Sequence, residues 1–282
     1  MFKEIINDPF PHTVNKNLFS KKIWNEVNEN WPDKKFFKTY ADGHNRTKRS
    51  LGRFGFYILG YSAQNYLKKL QNKNYKFWNK FSNFHLKEII KKNFFLFLPY
   101  FRKRFEDVYD KVELQSFAVL VYTNKQLKVR VHTENPSVLM SGLIYKNNNL
   151  NDDSGTSIYK SNEIKKDSGV KFLNSKSFKI FKTIPFKNNH QFCFIKTSNS
   201  FHGVEKKLIK NNQERCSINW HLRLTDKSIE QIYKIKKFKD FARLQGFHEK
   251  KILHQLNKME TEKLNFHSPT NYEKLMIEKS FS

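Results

Sequence analysis

Seven short runs rich in β-branched and aromatic residues, at 117–122, 127–134, 138–146, 156–160, 178–186, 191–197 and 215–224, constrain the fold of this chain more than anything else in it. Polar connections separate them, as at Thr123-Asn-Lys125, Asn147–Ser154 and Lys187-Asn-Asn189, where backbone turns are readily made. Seven or eight strands at this spacing specify a sandwich or a closed antiparallel sheet. A double-sheet jelly roll also leaves a space between its sheets where side chains carried on different strands can meet. The expected class is mainly β with flanking helices (α+β).

Two of the runs carry an informative alternation. Successive strand residues face opposite sides of a sheet, so His132 and Glu134, two apart, point the same way while Val129 and Val131 point the other. In the last run Arg215, Ser217, Asn219, His221 and Arg223 share one face, and Cys216, Ile218, Trp220, Leu222 and Leu224 share the other. A purely structural strand is rarely so polar on one side. Two histidines and one carboxylate around open coordination positions is the arrangement of non-haem Fe(II) sites, and His202, in the turn-rich stretch around Ser200-Phe-His202, is the candidate third ligand. If the polar face of the last run lines the cavity, Arg215 can hold a carboxylate through two parallel charge-assisted hydrogen bonds, with Ser217 adding another. A lone His-X-Glu is ordinarily structural, and a lone arginine is ordinarily a surface cation. The ordered set on alternating strands is what raises both above that background.

The formal charge is +27, which would normally point to nucleic acid or an anionic surface. Only nine of the 53 basic residues are arginine, and Lys, Asn, Phe and Ile are abundant together, as drift towards A/T-rich codons would produce. With no basic-aromatic platform or reading-helix motif, nucleic acid is not the expected partner. Cys193 and Cys216 sit in apolar alternating runs and read as small core residues, which suits a reducing compartment. The N-terminus lacks a signal-peptide core, and the most apolar stretch, 94–101, is too short to span a bilayer. The expectation is a cytoplasmic protein with no membrane span.

Before the β-rich region, residues 8–14 read as an extended segment, because each proline biases its predecessor away from helix. Residues 18–31 read as an amphipathic helix with Ser20 near its start and Pro32 ending it. Residues 33–55 suggest a surface loop, and 62–92 a helical stretch with Trp78, Phe81, Phe84, Leu86, Ile89 and Ile90 as its apolar face. Segment 94–104 either packs on a sheet or touches a membrane surface. Stretches 147–154 and 161–177 read as mobile connections, either of which could cover a site. After Thr225 the spacing of Ile229, Ile232, Ile235, Phe238 and Phe241 predicts one or two helices. The expected division is 1–111 as an extended segment and helices, 112–225 as the core and 226–282 as a basic helical extension.

Taken together the residues resemble the iron(II)- and 2-oxoglutarate-dependent dioxygenases, in particular the prolyl-hydroxylase-like branch. His132-Thr-Glu134 and His202 match the family's His-X-Asp/Glu…His ligand set, and Arg215-Cys-Ser-Ile-Asn-Trp220 matches its arginine-bearing strand. Tyr122 and Tyr145 fall where the family often has tyrosines near the co-substrate. Gly155-Thr156 resembles the start of its next strand, and Asp8-Pro-Phe-Pro-His12 an opening found in some members. The chain departs from the branch at Glu134, where most members have Asp and the Jumonji-type members have Glu. The resemblance implies a double-stranded β-helix (jelly-roll) core, Fe(II) on His132, Glu134 and His202, and 2-oxoglutarate held by Arg215, Ser217, Tyr122 and Tyr145. It also implies O2 as co-substrate and hydroxylation of a small molecule or side chain whose identity the sequence does not carry. Two other readings stand beside it: a catalytically silent jelly-roll binding module with a degenerate ligand set, and a basic nucleic-acid-binding protein.

Overall fold

The computed structural model describes residues 4–39, 52–124, 126–134, 137–148, 150–161, 178–197, 199–209, 213–233 and 269–281. Among them are β1 (His12–Asn15), β2 (Lys38–Thr39), β3 (Arg53–Leu59), β4 (Leu114–Thr123), β5 (Gln126–His132) and β6 (Val138–Asn148). The later strands are β7 (Ser157–Ser161), β8 (Phe178–Thr183), β9 (His190–Ile195), β10 (His202–Leu208) and β11 (Glu214–Leu224). A major sheet runs in the order β1-β9-β6-β11-β4-β3-β2, and a minor sheet in the order β5-β10-β7-β8. From β4 to β11 the chain crosses between sheets at every step except β7 to β8, and all recorded pairings are antiparallel. That winding is a jelly roll, as the spacing of the runs led us to expect.

Helices cover one face of the major sheet: α1 (Lys21–Glu29), α2 (Ala63–Leu67), α3 (Asn72–Lys80), α4 (Lys87–Leu96), α5 (Leu98–Phe105), α6 (Asp226–Tyr233) and α7 (Asn271–Lys279). Ser20 caps α1 by accepting from the Ile23 amide, and Trp24 and Val27, three apart, form its buried stripe. The α1 end is tied to α3 where the Trp78 indole donates to the Asn30 carbonyl at 2.7 Å. Between α3 and α4 lies a π-helical turn, Phe81–Leu86, which changes the phase of the apolar pattern. Phe84, expected in the core, consequently lies 64% exposed, whereas Phe81 and Leu86 are buried. Segment 94–104 packs on the sheet side, with Phe94, Phe97, Leu98 and Phe101 all buried. No helix among the described residues is long and apolar enough to cross a membrane.

Helix α7 begins with a reciprocal cap between Thr270 and Glu273. The same Glu273, almost wholly buried, accepts Arg102 Nε at 2.5 Å and Nη2 at 2.6 Å, a bidentate pair that fastens this late helix to α5. Helix α6 occupies the start of the helical stretch expected after Thr225, and the rest of that stretch lies outside the described residues. So do 162–177 and 40–51. The loop expected over 33–55 is corrected on its described flanks, since β2 and β3 both join the major sheet. Within the connection expected over 147–154, Asn147 Nδ2 donates to the carbonyls of Leu150 and Phe186.

The core lies between the helices and the major sheet. Cys216, Ile218, Trp220, Leu222 and Leu224 of β11 enter it together with Tyr122, Leu120 and Ala118 of β4, because directly paired residues share a face. Cys193 and Cys216 are buried there as free thiols. Trp220 is fully buried against Gly142 of β6, its cross-strand partner, where an added Cβ would stand 2.1 Å from the indole Cε2. Only glycine leaves room for the ring, which close packing on its other side holds still. Gly142→Ala is expected to lower stability by about 1–3 kcal/mol through overpacking. The check is urea denaturation, with a lower midpoint at unchanged slope expected; an unaltered midpoint would mean that the ring has room to move.

Candidate metal centre

The opposite face of the major sheet looks towards the minor sheet, and this is where the chemical residues gather. Strands β5 and β10 pair so that His132 and His202 are direct partners, with ring centroids 4.4 Å apart. His132 is the last residue of β5 and His202 the first of β10; the turn expected around His202 gives way to a strand that the sequence reading had missed. The register shifts between His202 and Val204, and a Cβ on Gly203 would stand 2.6 Å from the Val129 carbonyl oxygen. Glycine next to His202 is therefore what lets the two strands approach at the point where the histidines meet.

Glu134 lies two residues beyond the end of β5 and turns back towards the histidines, its Oε1 3.5 Å from His202 Nε2. One ligand atom from each of His132, Glu134 and His202 lies within 4.8 Å of the others. His132 Nδ1 is 2.8 Å from the Arg130 carbonyl and His202 Nδ1 is 3.0 Å from the Ser200 carbonyl. A carbonyl only accepts, so each Nδ1 carries a proton and Nε2 is the nitrogen left facing the site, where loss of its own proton gives a lone pair for a metal. This is how imidazoles are set to bind a metal, with the second nitrogen fixed by the backbone. Burial by itself would raise the Glu134 pKa. Its contact with His202 and the neighbouring imidazoles of His221, His202 and His132 prevail and hold the carboxyl well below the usual range.

Arg215 enters the same inter-sheet space from β11 and is 5% exposed. Its Nε donates to the Ser154 carbonyl at 3.0 Å, and its guanidinium lies over the rings of Phe186 and Tyr145 at 5.1 and 5.6 Å. Nη2 is buried with no hydrogen-bond partner, and among the described residues no carboxylate pairs with the group. Burial lowers its pKa to about 10, so it remains a cation at neutral pH. Ser217 and Tyr145 share the Arg215 face, paired across β11 and β6. Ser217 Oγ donates to Asn219 Oδ1 at 2.7 Å, and Tyr145 Oη donates to Thr156 Oγ1 at 2.8 Å while accepting from the Thr156 amide at 3.2 Å. Phe10, Tyr145, Ile158, Ile184, Phe186, Phe192 and Phe194 form one apolar cluster between the sheets. It reaches from Phe186 beneath Arg215 to Phe194, whose ring is 4.6 Å from that of His202.

Tyr122 requires correction. It pairs directly with Cys216, on the helix side of β11, and packs against Phe54 and Phe37 with ring centroids 4.8 and 4.9 Å away. A residue on that face cannot share the inter-sheet space with Arg215, one position along the same ladder. Two residues not singled out from the sequence, Ser141 and His221, do reach the centre: Ser141 Oγ donates to Glu134 Oε1 at 3.1 Å and is 2.8 Å from His221 Nδ1. The available signals were the polar face of β11 for His221 and the four-residue spacing from Tyr145 for Ser141, which puts both on one side of β6.

No protein-family model matches the chain, and no curated protein matches it. Several solved structures are similar to it at low identity. An oxidoreductase of the 2OG-Fe(II) oxygenase family from Burkholderia pseudomallei is 8% identical, with 75% of this chain and 84% of that one covered and a TM-score of 0.37. A prolyl hydroxylase from Trichoplax adhaerens, in complex with a hypoxia inducible factor peptide fragment, is 12% identical over 77% and 85% of the two chains, with a TM-score of 0.42. HygX from Streptomyces hygroscopicus, with nickel and 2-oxoglutarate bound, is 11% identical over 76% and 83%, with a TM-score of 0.41.

The depressed Glu134 pKa has a consequence for the metal-free chain. A carboxyl whose folded pKa is lowered contributes stability that is fully present above the unfolded value, about 4.3, and is lost as pH falls through the folded one. Between pH 6 and pH 3 in chelator, the wild type is therefore expected to lose about 1–2 kcal/mol more stability than Glu134→Gln. Urea denaturation of both proteins at the two pH values measures this, and equal losses would show that Glu134 is not held ionised.

Proposed function

We propose that this chain is an iron(II)- and 2-oxoglutarate-dependent dioxygenase that hydroxylates a small molecule or a side chain. The observation that carries the proposal is the meeting, in one inter-sheet space, of His132, Glu134 and His202 with a buried guanidinium whose Nη2 has no partner. The donor set fits Fe(II): two imidazole lone pairs and one ionised carboxylate bind such a metal on one side and leave positions open. The far end fits the co-substrate, because the unpartnered Nη2 of Arg215 offers a buried positive charge and a hydrogen-bond donor to a carboxylate placed against it. When bound, the metal, 2-oxoglutarate and O2 supply an oxidative decarboxylation that yields succinate and CO2 and is coupled to hydroxylation of a C–H bond.

The protein's own contribution is positioning. Arg215, stacked on Phe186 and Tyr145, orients one carboxylate of the co-substrate, and the aromatic cluster between Phe186 and Phe194 excludes water from the methylenes in between. Ser217 and Tyr145 keep the surrounding hydroxyls engaged with Asn219 and Thr156 in the ligand-free chain. Tyr122 has no part in this.

Anaerobically purified protein is expected to bind one Fe(II) per chain and to release succinate from 2-oxoglutarate. His132→Ala or His202→Ala should abolish iron binding and Glu134→Asp should retain part of it; full stoichiometry in both histidine variants, with the fold intact, would refute the ligand assignment. Arg215→Ala should raise the 2-oxoglutarate needed for half-maximal turnover by about thirty-fold or more while leaving iron in place, since losing a desolvated carboxylate partner costs about 2–5 kcal/mol. Arg223→Ala should matter much less, because Arg223 lies a third exposed near Asp226, at 3.6 Å.

A further inference from the structure

Glu134 does not stand alone between the imidazoles. Ser141 donates its hydroxyl proton to Glu134 Oε1, the oxygen that is also 3.5 Å from His202 Nε2. The same Ser141 oxygen is 2.8 Å from His221 Nδ1. A serine hydroxyl has one proton, and here the carboxylate takes it, so the contact with His221 exists only if Nδ1 carries a proton and donates it to Ser141 Oγ. The result is a directed chain, from His221 through Ser141 to Glu134, in which each group has one permitted role.

The backbone builds this chain from two sheets. Ser141 and His221 are direct partners in the β6–β11 ladder of the major sheet, whereas Glu134 comes from the end of β5 in the minor sheet. The His221 ring is held in turn on Phe117, its partner in β4, with centroids 4.9 Å apart and planes 28° from parallel. Ser141 is 1% exposed, so few water molecules can replace a lost partner.

We infer that Ser141 and His221 are positioning residues that fix the Glu134 carboxylate in its metal-binding orientation, acting in series through one hydrogen-bonded chain. The inference rests on the metal centre proposed above. It explains how a glutamate, with one more rotatable bond than an aspartate, presents a single oxygen to the site: Ser141 holds that oxygen from the facing sheet, and His221 fixes the direction of the serine proton. Groups that orient metal ligands in this way are worth about 10–100-fold in metal affinity.

The test is Co(II) binding to the purified full chain, followed by calorimetric titration and by the visible absorption of the bound ion, in Ser141→Ala, His221→Phe, the double variant of these two and His221→Asn, with His132→Ala as the ligand control. Ser141→Ala and His221→Phe should each weaken Co(II) binding by about tenfold or more and alter the spectrum. The double variant should be no weaker than Ser141→Ala, because both act through one oxygen. His221→Asn decides between hydrogen bonding and packing: its amide NH2 falls where Nδ1–H was but it cannot stack on Phe117, whereas His221→Phe keeps the stack and loses the donor. Near-wild-type binding by His221→Asn with weak binding by His221→Phe supports the chain. The reverse order, wild-type affinity in both, or weakening that adds in the double variant overturns it while the metal centre stands. Absence of Co(II) binding by the wild type, or its persistence in His132→Ala, overturns both.

Discussion

The two-residue pleat of β11 is the constraint on which the rest of the molecule depends. As a central strand it bonds to β4 on one side and β6 on the other along its length, and every side chain on it must go to one face or the other. Cys216, Ile218, Trp220, Leu222 and Leu224 go to the helices and are buried there; burying each large apolar side chain is worth about 1.5–3 kcal/mol. A register slip of one residue would expel all of them and drive Arg215 and His221 into the apolar layer. Burial on one side thus determines which polar groups stand between the sheets on the other.

Those polar groups are costly, and the structure compensates them unevenly. Around the histidines the backbone carbonyls of Arg130 and Ser200 satisfy one ring nitrogen each, and Ser141 satisfies Glu134. Around Arg215 the Ser154 carbonyl and two aromatic faces offset part of the several kcal/mol that a buried charge costs, and Nη2 is left over. An incompletely satisfied cation thus stands at one end of the aromatic cluster, and His132, Glu134 and His202 at the other. The same arrangement is a poor solution for stability alone.

The described helices pack on the other face of the major sheet and add rigidity to this plan. Helix α7, close to the end of the chain, is anchored by the partly buried Arg102–Glu273 pair, and the Ser280 carbonyl accepts the Ser116 amide at 2.7 Å near the start of β4. Strands β1 and β3, which precede the jelly-roll strands in sequence, widen the major sheet on both sides. The strands that carry Ser141, Tyr145, Arg215 and His221, β6 and β11, lie at least two strands in from either edge of their sheet, where hydrogen bonds on both sides limit their movement.

Much of the plan was legible in the sequence because strands and helices advertise their faces locally. The alternation from Arg215 to Leu224, the pairing of His132 with Glu134 two residues on, the capped helix after Ser20 and the burial of Cys193 and Cys216 all depend on neighbours within a few residues. What the sequence by itself determined is therefore most of the jelly-roll strands, though not β2, β3 or β10, and the face each side chain takes within those strands. Only the tertiary structure decided which faces meet. His202 stands beside His132 because β10 pairs with β5 in one register, 70 residues apart in the chain, and a glycine at 203 lets the strands close. Tyr122 lost its expected place for the same reason: the β4–β11 register puts it opposite Cys216 and not Arg215. The chain from His221 through Ser141 to Glu134 joins three strand segments from two sheets, and no local pattern records it. Periodicity fixes direction within an element, whereas contact between elements depends on register, and register is set by the summed burial of the whole sheet.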